Sequence, residues 1–553
     1  MMIRDMTNSR EPQGRLPDPG QKGVKAIPVS IYGTLLAFTL SSGIEQWTST
    51  GLNVTLPDLT GTLGSSADEA SWAITVYNTA FAVSVTLSHR LANRLGNRRM
   101  LSLACVIYAL TSLGCALSPE LPLFLCFRVL QGLAGGVFLA RTLVFVTQRF
   151  EPKDRTAYLR TYGLGVFLIG RFASPILSGW FADNWSWRLL FLINVPAMLL
   201  AGWIFHRYTS PHWISEVEDY KPDIPGIALL MLGAAALQAA LSRGEIDDWF
   251  GSNTIVLLTT IGIVCNLLFA AWQLTPKNRQ PVLHLDYLGD RGVFSAAVLG
   301  VVLGMLLGGS LYVLPQYLRR VESHSALQTG VFISITGVAT LVTLSAVQWI
   351  GAAIFKLGGK TVMAFALFVQ MTAMGWFGHI VTVDTPDRNL WAPLILNGIF
   401  VGISVPTLAV AAFMRVDAKH VSTARAIYYG ARQFGASLGV TAVVVLLDRR
   451  QSLHSSRLLE HFFGRNLSIL GVSAQSESAI RFSGAITRQA LVLTYADIFY
   501  TMAALAGVML LFLPILPSTV GGAAKPAIRE PQTRPQSEPA LHAVLDGPHE
   551  AAS

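Results

Sequence analysis

The sequence predicts an all-α polytopic membrane protein, on three observations. Of its 553 residues 52% are hydrophobic and 13% charged, whereas a soluble domain carries about 25% charged residues. Apolar segments long enough to cross a bilayer recur along nearly the whole chain. The connections between them sort lysine and arginine to one side. His89–Arg99, for example, holds Arg90, Arg94, Arg98 and Arg99, no acid, and a Gly96-Asn97 turn signal. Positive loops resist translocation, so this connection belongs in the cytoplasm.

Taken in order, fourteen spans are expected at about 30–56, 71–89, 100–118, 122–147, 159–181, 188–206, 224–242, 253–273, 292–317, 327–351, 361–382, 391–413, 424–447 and 492–516. An even number puts both termini on one side. Arg149, Lys153, Arg155 and Arg160, then Lys277, Arg279 and Arg291, then Lys356 and Lys360, then Arg415, Lys419 and Arg425 fall in alternate connections. That side is therefore read as cytoplasmic. The connections after spans 1 and 3 contain no lysine or arginine.

Residues 1–29 and 517–553 are polar, Pro-rich stretches expected as disordered cytoplasmic tails. The first 28 residues lack the apolar core and cleavage site of a signal peptide, which leaves the first span as an uncleaved insertion signal. The expected organisation is a six-helix bundle over 30–206, a linker with two extra transmembrane helices over 207–291, and a second six-helix bundle over 292–516. Residues 448–491 form an extracytoplasmic loop that breaks the charge rule, with Arg449, Arg450, Arg457, Arg465, Arg481 and Arg488. Orientation is set by several earlier loops, so a late, longer one can still be translocated. Within it SSRLLEHFFGRNLSIL has the spacing of a short amphipathic helix. It reads either as a cap on the outer surface or as a docking site for a partner.

Several function classes drop out. The net charge of +9 is dispersed over short loops, a topology signal rather than a nucleic-acid face. No GxxxxGK[ST] loop is present, so ATP does not drive this chain. Cys105, Cys115, Cys126 and Cys265 all lie in apolar spans without metal-ligand spacing. No enzyme, metal or cofactor is indicated.

The basic loop and six further segments carry a resemblance: LNVTLPDL (52–59), ADEASW (67–72), RVLQGLAGG (128–136), SWRLLFLINVP (186–196), DIPGIALLMLGAAALQ (223–238) and ARQFGASLG (431–439). In this order they resemble the fourteen-span drug:proton antiporter branch (EmrB/QacA type) of the major facilitator superfamily, over about residues 30–516. The resemblance implies the major facilitator fold: two six-helix bundles plus two extra central helices, alternating access, and binding near the midplane. It implies proton-coupled export of toxic hydrophobic or amphipathic compounds (multidrug efflux) from the inner, or plasma, membrane. In Gram-negative members a periplasmic adaptor and an outer-membrane channel often take part. Two alternatives stay open: transport of a specific organic anion, and a non-transporting ligand sensor or scaffold on the same fold.

The chain departs from the family pattern. In the gate motif made of Arg90, Asn93, Arg94, Gly96 and Arg98, Asn93 stands where an acid is usual and His89 where a glycine is usual. The gate is therefore expected to lean on neutral hydrogen bonds. The branch's first-span aspartate falls at Thr48, and the span 5 motif appears only as SPILSG (174–179).

An ionisable group within a span is expensive and a functional candidate by default. Glu45, the one carboxylate deep in the N-terminal spans, lies three residues before Thr48 and shares its face. It is the candidate proton carrier; a structural, permanently neutral Glu is the bland alternative. Arg128, at the head of the fourth-span motif, is expected to couple to it, with Glu45 or span 1 carbonyls as acceptors; the alternative is a packing clamp. Arg141 and Arg171, with only one acid nearby, predict a net-positive cavity that favours anionic substrates. The competing reading has Arg141 snorkelling and Arg171 bonding carbonyls. Thr48, Tyr77, Asn78, Gln316 and Arg432 complete the expected cavity wall, with Gln46, Trp47, Tyr312 and Asn397 as further candidates. Asp497 is expected near the outer surface in a structural role.

Overall fold

In a computed structural model, residues 29–514 are described apart from 211–212, 214–222, 245–246, 276–277, 279–280, 282–290, 357, 414–420 and 471–476. Every regular element among them is helical. The first half holds α1 (Val29–Leu63), α2 (Ala67–Leu95), α3 (Asn97–Leu117), α4 (Leu121–Arg149), α5 (Pro152–Phe167), a π-turn (Leu168–Ala173), α6 (Ser174–Asn184), α7 (Leu189–Leu192) and α8 (Asn194–Tyr208). A central pair follows, α9 (Ile224–Arg243) and α10 (Asn253–Leu274). The second half holds α11 (Arg291–Arg320), α12 (Ala326–Lys356), α13 (Gly359–Ile380), α14 (Asp387–Phe413), α15 (Val421–Leu470) and α16 (Glu477–Phe512). The expected tails, 1–29 and 517–553, lie outside the described residues apart from Val29.

Twelve helices among the described residues are long and apolar enough to cross a membrane, which makes the chain a multi-pass membrane protein. The two remaining expected spans, α1 and α2, have the length but not the apolarity. They bury Thr34, Ser41, Ser42, Glu45, Thr48, Asn53, Thr75, Asn78 and Ser84 inside the bundle. Their hydroxyls return to carbonyls one turn back, as in Thr48 to Ile44 and Thr79 to Thr75, so these polar groups need no water. A polar helix face is tolerable here because it meets protein rather than lipid.

Local chemistry sets the helix ends. At the start of α2 the Ser66 side chain accepts from the Glu69 amide at 3.2 Å, and Glu69 Oε2 accepts from the Ser66 amide at 3.0 Å, a reciprocal cap. Between α2 and α3, Gly96 adopts φ 75°, and its N–H closes on the Ala92 carbonyl, a left-handed turn that glycine takes without strain. The central pair is tied at one end by Asp223, which accepts from Gly226 N, Trp272 Nε1, Gln273 Nε2 and Asn278 Nδ2. It packs against α2 and α15, and Gln238 hydrogen-bonds Thr441.

Small residues set helix spacing, since lipid offers no hydrophobic drive for association. A Cβ on Gly136 of α4 would sit 2.5 Å from the Phe81 carbonyl of α2, whereas one on Gly61 would meet nothing within 4 Å. Gly136→Ala should therefore destabilise the protein by about 1–3 kcal/mol through overpacking, while Gly61→Ala stays neutral. Thermal unfolding of the two variants in one detergent checks the contrast.

One expectation needs correction. The helix expected at SSRLLEHFFGRNLSIL is present among the described residues of 448–491, but not as a short separate cap within a loop. Instead α15 runs unbroken for 50 residues, through Leu470, and α16 begins at Glu477, well before its expected span. Polar composition marks where the bilayer ends, but QSLHSSRLLEHFFGRN contains no proline and one late glycine, so nothing stops the helix there. Asp497 lies at the base of this extension, with Oδ2 2.9 Å from His454 Nε2 and 3.4 Å from Arg450.

Candidate functional site: a central cavity closed at one end

The apolar cores show how the two halves meet. At the end away from the His89–Arg99 loop, a single buried cluster joins both halves, with Leu52, Leu56 and Phe124 beside Tyr312, Tyr317 and Phe499. Toward the basic end the cores separate. Phe38, Tyr108, Phe138 and Phe205 pack within the first half, and Leu303, Phe400 and Met509 within the second. Polar links between the halves follow the same division. Arg319 reaches Asp58 at 2.6 Å, Gln316 donates to the Asn53 carbonyl, and Asp183 accepts from the Ala326 and Leu327 amides, all toward the distal end. Nearer the middle, Gln433 donates to Asn78 at 2.7 Å and Ser334 to the Phe172 carbonyl at 2.9 Å.

Between the halves lies a cavity of about 680 Å³, within the usual range for a drug-sized ligand. Its wall is mostly apolar, with Leu139, Leu143, Leu159, Leu344, Val347 and Val405 toward the basic end. Its charged lining, among the described residues, is Glu45, Arg171 and Arg432.

Glu45 is buried, and both of its oxygens are engaged. Tyr77 Oη donates to Oε1 and Gln46 Nε2 to Oε2, each at 3.0 Å. Arg128 does not take the acceptors expected from span 1. Its Nε donates to the Ala73 carbonyl of α2 at 3.0 Å and its Nη1 to Gln131 Oε1 at 2.6 Å. The guanidinium lies over the Tyr77 ring, 4.1 Å from its centroid. Tyr77 thus stands between the carboxylate and the cation, bonding one through its hydroxyl and facing the other with its ring.

The network continues inward. Gln131 donates to Ser112 at 2.6 Å, Asn194 donates to Ser112 and Thr48, and Tyr108 donates to Thr48. These bonds join α1, α3, α4 and α8, and a buried polar network of this kind favours one helix arrangement; Asn194 Oδ1 alone among its side-chain oxygens has no partner among the described residues. Gln131, Ser112 and Asn194 were not anticipated as site residues. Gln131, three residues after Arg128 on the same helix, had a sequence signal; Ser112 had none.

The expected cavity wall therefore changes membership. Asn78, Arg171, Arg432 and Gln46 line it. Thr48, Tyr77 and Gln316 do not: Thr48 faces Tyr108 and Asn194, Tyr77 lies behind Glu45, and Gln316 belongs to the distal closure. Trp47, Tyr312 and Asn397 are buried away from it. Arg141 neither lines the cavity nor snorkels. It is buried with its guanidinium 5.5 Å from the Trp213 ring, in a cluster with Phe38, Phe145 and Phe150. Tyr162, Tyr429 and Gln433 are cavity residues that sequence reasoning missed.

Arg171 owes its position to an irregularity. Pro175 has no N–H to return to the Arg171 carbonyl one turn back, and the chain widens into the π-turn Leu168–Ala173 just before it. The freed carbonyls face α12: a Cβ on Gly337 would lie 2.3 Å from the Arg171 oxygen, and Ser334 donates to the Phe172 oxygen. Such π-turns concentrate at functional sites.

In the gate motif, Gly96 forms the turn described above and Arg94 is exposed. The Arg90 side chain lies outside the described residues. Asn93 Oδ1 and Arg98 Nε are buried without a hydrogen-bond partner among the described residues. Asn97 instead anchors the loop, donating to the Trp213 carbonyl at 2.6 Å.

Two helical halves around a central cavity, closed at one end, form a transporter-type architecture. The Major Facilitator Superfamily model matches residues 38–440, and the chain belongs to that family. Among curated relatives, the probable multidrug resistance protein EmrY of Escherichia coli K12 is 27% identical over 493 residues, covering 88% of this chain and 94% of that protein. The multidrug export protein EmrB of the same strain is 27% identical, covering 87% and 94%. The fatty acid resistance protein FarB of Neisseria gonorrhoeae is 27% identical, covering 88% and 96%. Among solved structures, an inward-facing bacterial homolog of the human lysosomal transporter Spinster superposes with a TM-score of 0.59 at 15% identity, covering 91% of this chain and 100% of that one. The peptide transporter POT in complex with sulfate gives 0.60 at 14% identity, covering 91% and 98%. At these identities the likeness is one of fold.

Proposed function

We propose that the chain is a proton-coupled exporter of hydrophobic or amphipathic organic compounds, working by alternating access between bundles 30–206 and 292–516 with the helices of 207–291 alongside. The observation that carries this reading is Glu45: the carboxylate of the cavity wall, held between Tyr77 and Gln46 where the halves meet. Protonation would turn one of its acceptor oxygens into a donor, so the bonds to Tyr77 and Gln46 must rearrange with the proton. That couples proton occupancy to α1 and α2, which form part of the cavity wall. The relatives named for multidrug export and fatty acid resistance support small organic cargo.

The arginine- and lysine-rich connections support fourteen spans with both termini cytoplasmic in an inner or plasma membrane. The cavity then faces the cytoplasm, ready to load. EmrB-type relatives are consistent with a periplasmic adaptor and an outer-membrane channel as further partners. Efflux from proteoliposomes with an imposed proton gradient tests the reading. If collapsing the gradient leaves cargo retention unchanged while cargo still binds, export fails as the function.

In this frame the distal contacts between the halves are an outer latch. The Asp58–Arg319 pair is partly solvent-exposed and worth up to about 1 kcal/mol. Asp58→Asn should shift the balance toward the outward-open state by about threefold to fivefold. Labelling of a cysteine placed at the cavity residue Leu311 by a membrane-impermeant reagent added on the distal side reads the shift.

A further inference from the structure

We infer that Arg171 and Arg432 together form a site for the head group of an amphipathic monoanion, such as a medium-chain carboxylate, whose apolar body lies along the cavity's leucine- and valine-lined wall. The inference rests on the export reading for its physiological role, though not for the binding it predicts.

Charge within the cavity comes first. Two guanidinium groups and one carboxylate line it, and neither arginine makes a salt bridge among the described residues. Glu45 touches neither directly among the described residues: its oxygens accept from Tyr77 and Gln46, and its charge offsets only one of the two. Arg171 Nε and Arg432 Nε are buried with no hydrogen-bond partner among the described residues. Both side chains are half-buried; a guanidinium held partly away from water without an ion-pair partner is costly, and an anion entering the cavity offsets that cost. One negative charge neutralises the site when Glu45 is ionised, whereas a second overshoots and a cation adds to the excess. Monoanions are therefore favoured over dianions and cations.

Placement comes next. Arg171 is delivered by the π-turn of the first half and Arg432 by α15 of the second. A carboxylate or sulfonate matches the planar fork of a guanidinium and can be shared between two of them. The ring of Tyr429 lies 5.7 Å from the Arg432 guanidinium and limits its swing. Around this polar middle, Leu139, Leu143, Leu159, Leu344 and Val347 present a continuous apolar wall toward the basic end. A single charged head with an apolar tail fits both parts. Arg141, the other arginine expected in the cavity, takes no part because it packs on Trp213.

The test uses the full chain in lipid nanodiscs and three ten-carbon probes: decanoate, decanamide and decyltrimethylammonium. Decanoate should bind tightest. Arg171→Gln and Arg432→Gln should each weaken it at least about tenfold while moving decanamide by less than about twofold. Unchanged decanamide binding also shows that the variants are folded. Arg432→Lys, which keeps the charge, should retain more decanoate binding than Arg432→Gln. The inference is overturned if decanoate binding survives both Gln variants, if decanamide affinity falls in parallel, or if decyltrimethylammonium binds the wild type more tightly than decanoate. Gradient-driven flux of the same probes in proteoliposomes separates the two readings. Binding without flux overturns export and leaves the anion site standing; flux without carboxylate preference does the reverse.

Discussion

Glu45→Gln should abolish gradient-driven export while leaving a folded protein. The glutamine is nearly isosteric and keeps an oxygen to accept from Tyr77, so the packing of α1 against α2 and α4 is retained. The titratable group is lost, and with it the means of coupling cargo movement to a proton. Flux driven by a pH gradient should fall on the order of 100-fold, whereas cargo-binding affinity changes little. Counterflow, the exchange of labelled for unlabelled cargo without a net gradient, should persist. Wild-type flux in Glu45→Gln would remove Glu45 from the mechanism. Loss of flux together with loss of binding would mean that Glu45 holds cargo rather than a proton.

Replacing Arg128 should damage the protein in a different way. Arg128→Ala strands Gln131 Oε1 in the bundle interior, removes the second bond on the helical Ala73 carbonyl, and takes the cation from the Tyr77 ring. A buried acceptor left unpaired costs about 1–3 kcal/mol, and a loss of that order is expected. This should appear as a lower unfolding temperature and poor recovery from the membrane. Arg128→Lys keeps the charge but not the planar fork that reaches two acceptors at once, so it should fall between. Export discriminates the roles further. If Arg128 is only a clamp, Arg128→Lys transports in proportion to the folded protein recovered. If it tunes Glu45 through Tyr77, the pH dependence of flux moves as well.

Much of this architecture can be read from residues alone, and the reasons are physical. Span length is set by bilayer thickness, and side preference by the cost of moving arginine across, so both leave local marks in sequence. Glu45 and Arg128 stand out for the same reason: a charge within a span is conspicuous. Which charges meet is another matter. Arg141 and Arg432 look alike as isolated arginines in apolar segments, yet one packs on Trp213 and the other lines the cavity. Helix rotation decides that, and rotation is fixed by contacts from distant parts of the chain, such as Gly136 against Phe81 and the Gly96 turn before Asn97 meets Trp213. The role of Tyr77 was hidden likewise, because it depends on two helices lying at the same depth. At 448–470 the reason is simpler: polar composition marks the end of a span, while α15 continues because nothing there breaks a helix.

The length of α15 has a mechanical consequence. At about 1.5 Å per residue its 50 residues measure roughly 75 Å, against a hydrocarbon thickness of about 30 Å. The part beyond its expected span is a stiff arm of roughly 33 Å joined without a hinge to the helix that carries Arg432. A rigid-body rotation of about 10° in that half, of the size such switches use, sweeps the arm's tip through roughly 6 Å. Motion around a cavity deep in the bilayer is thereby magnified and displayed outside it.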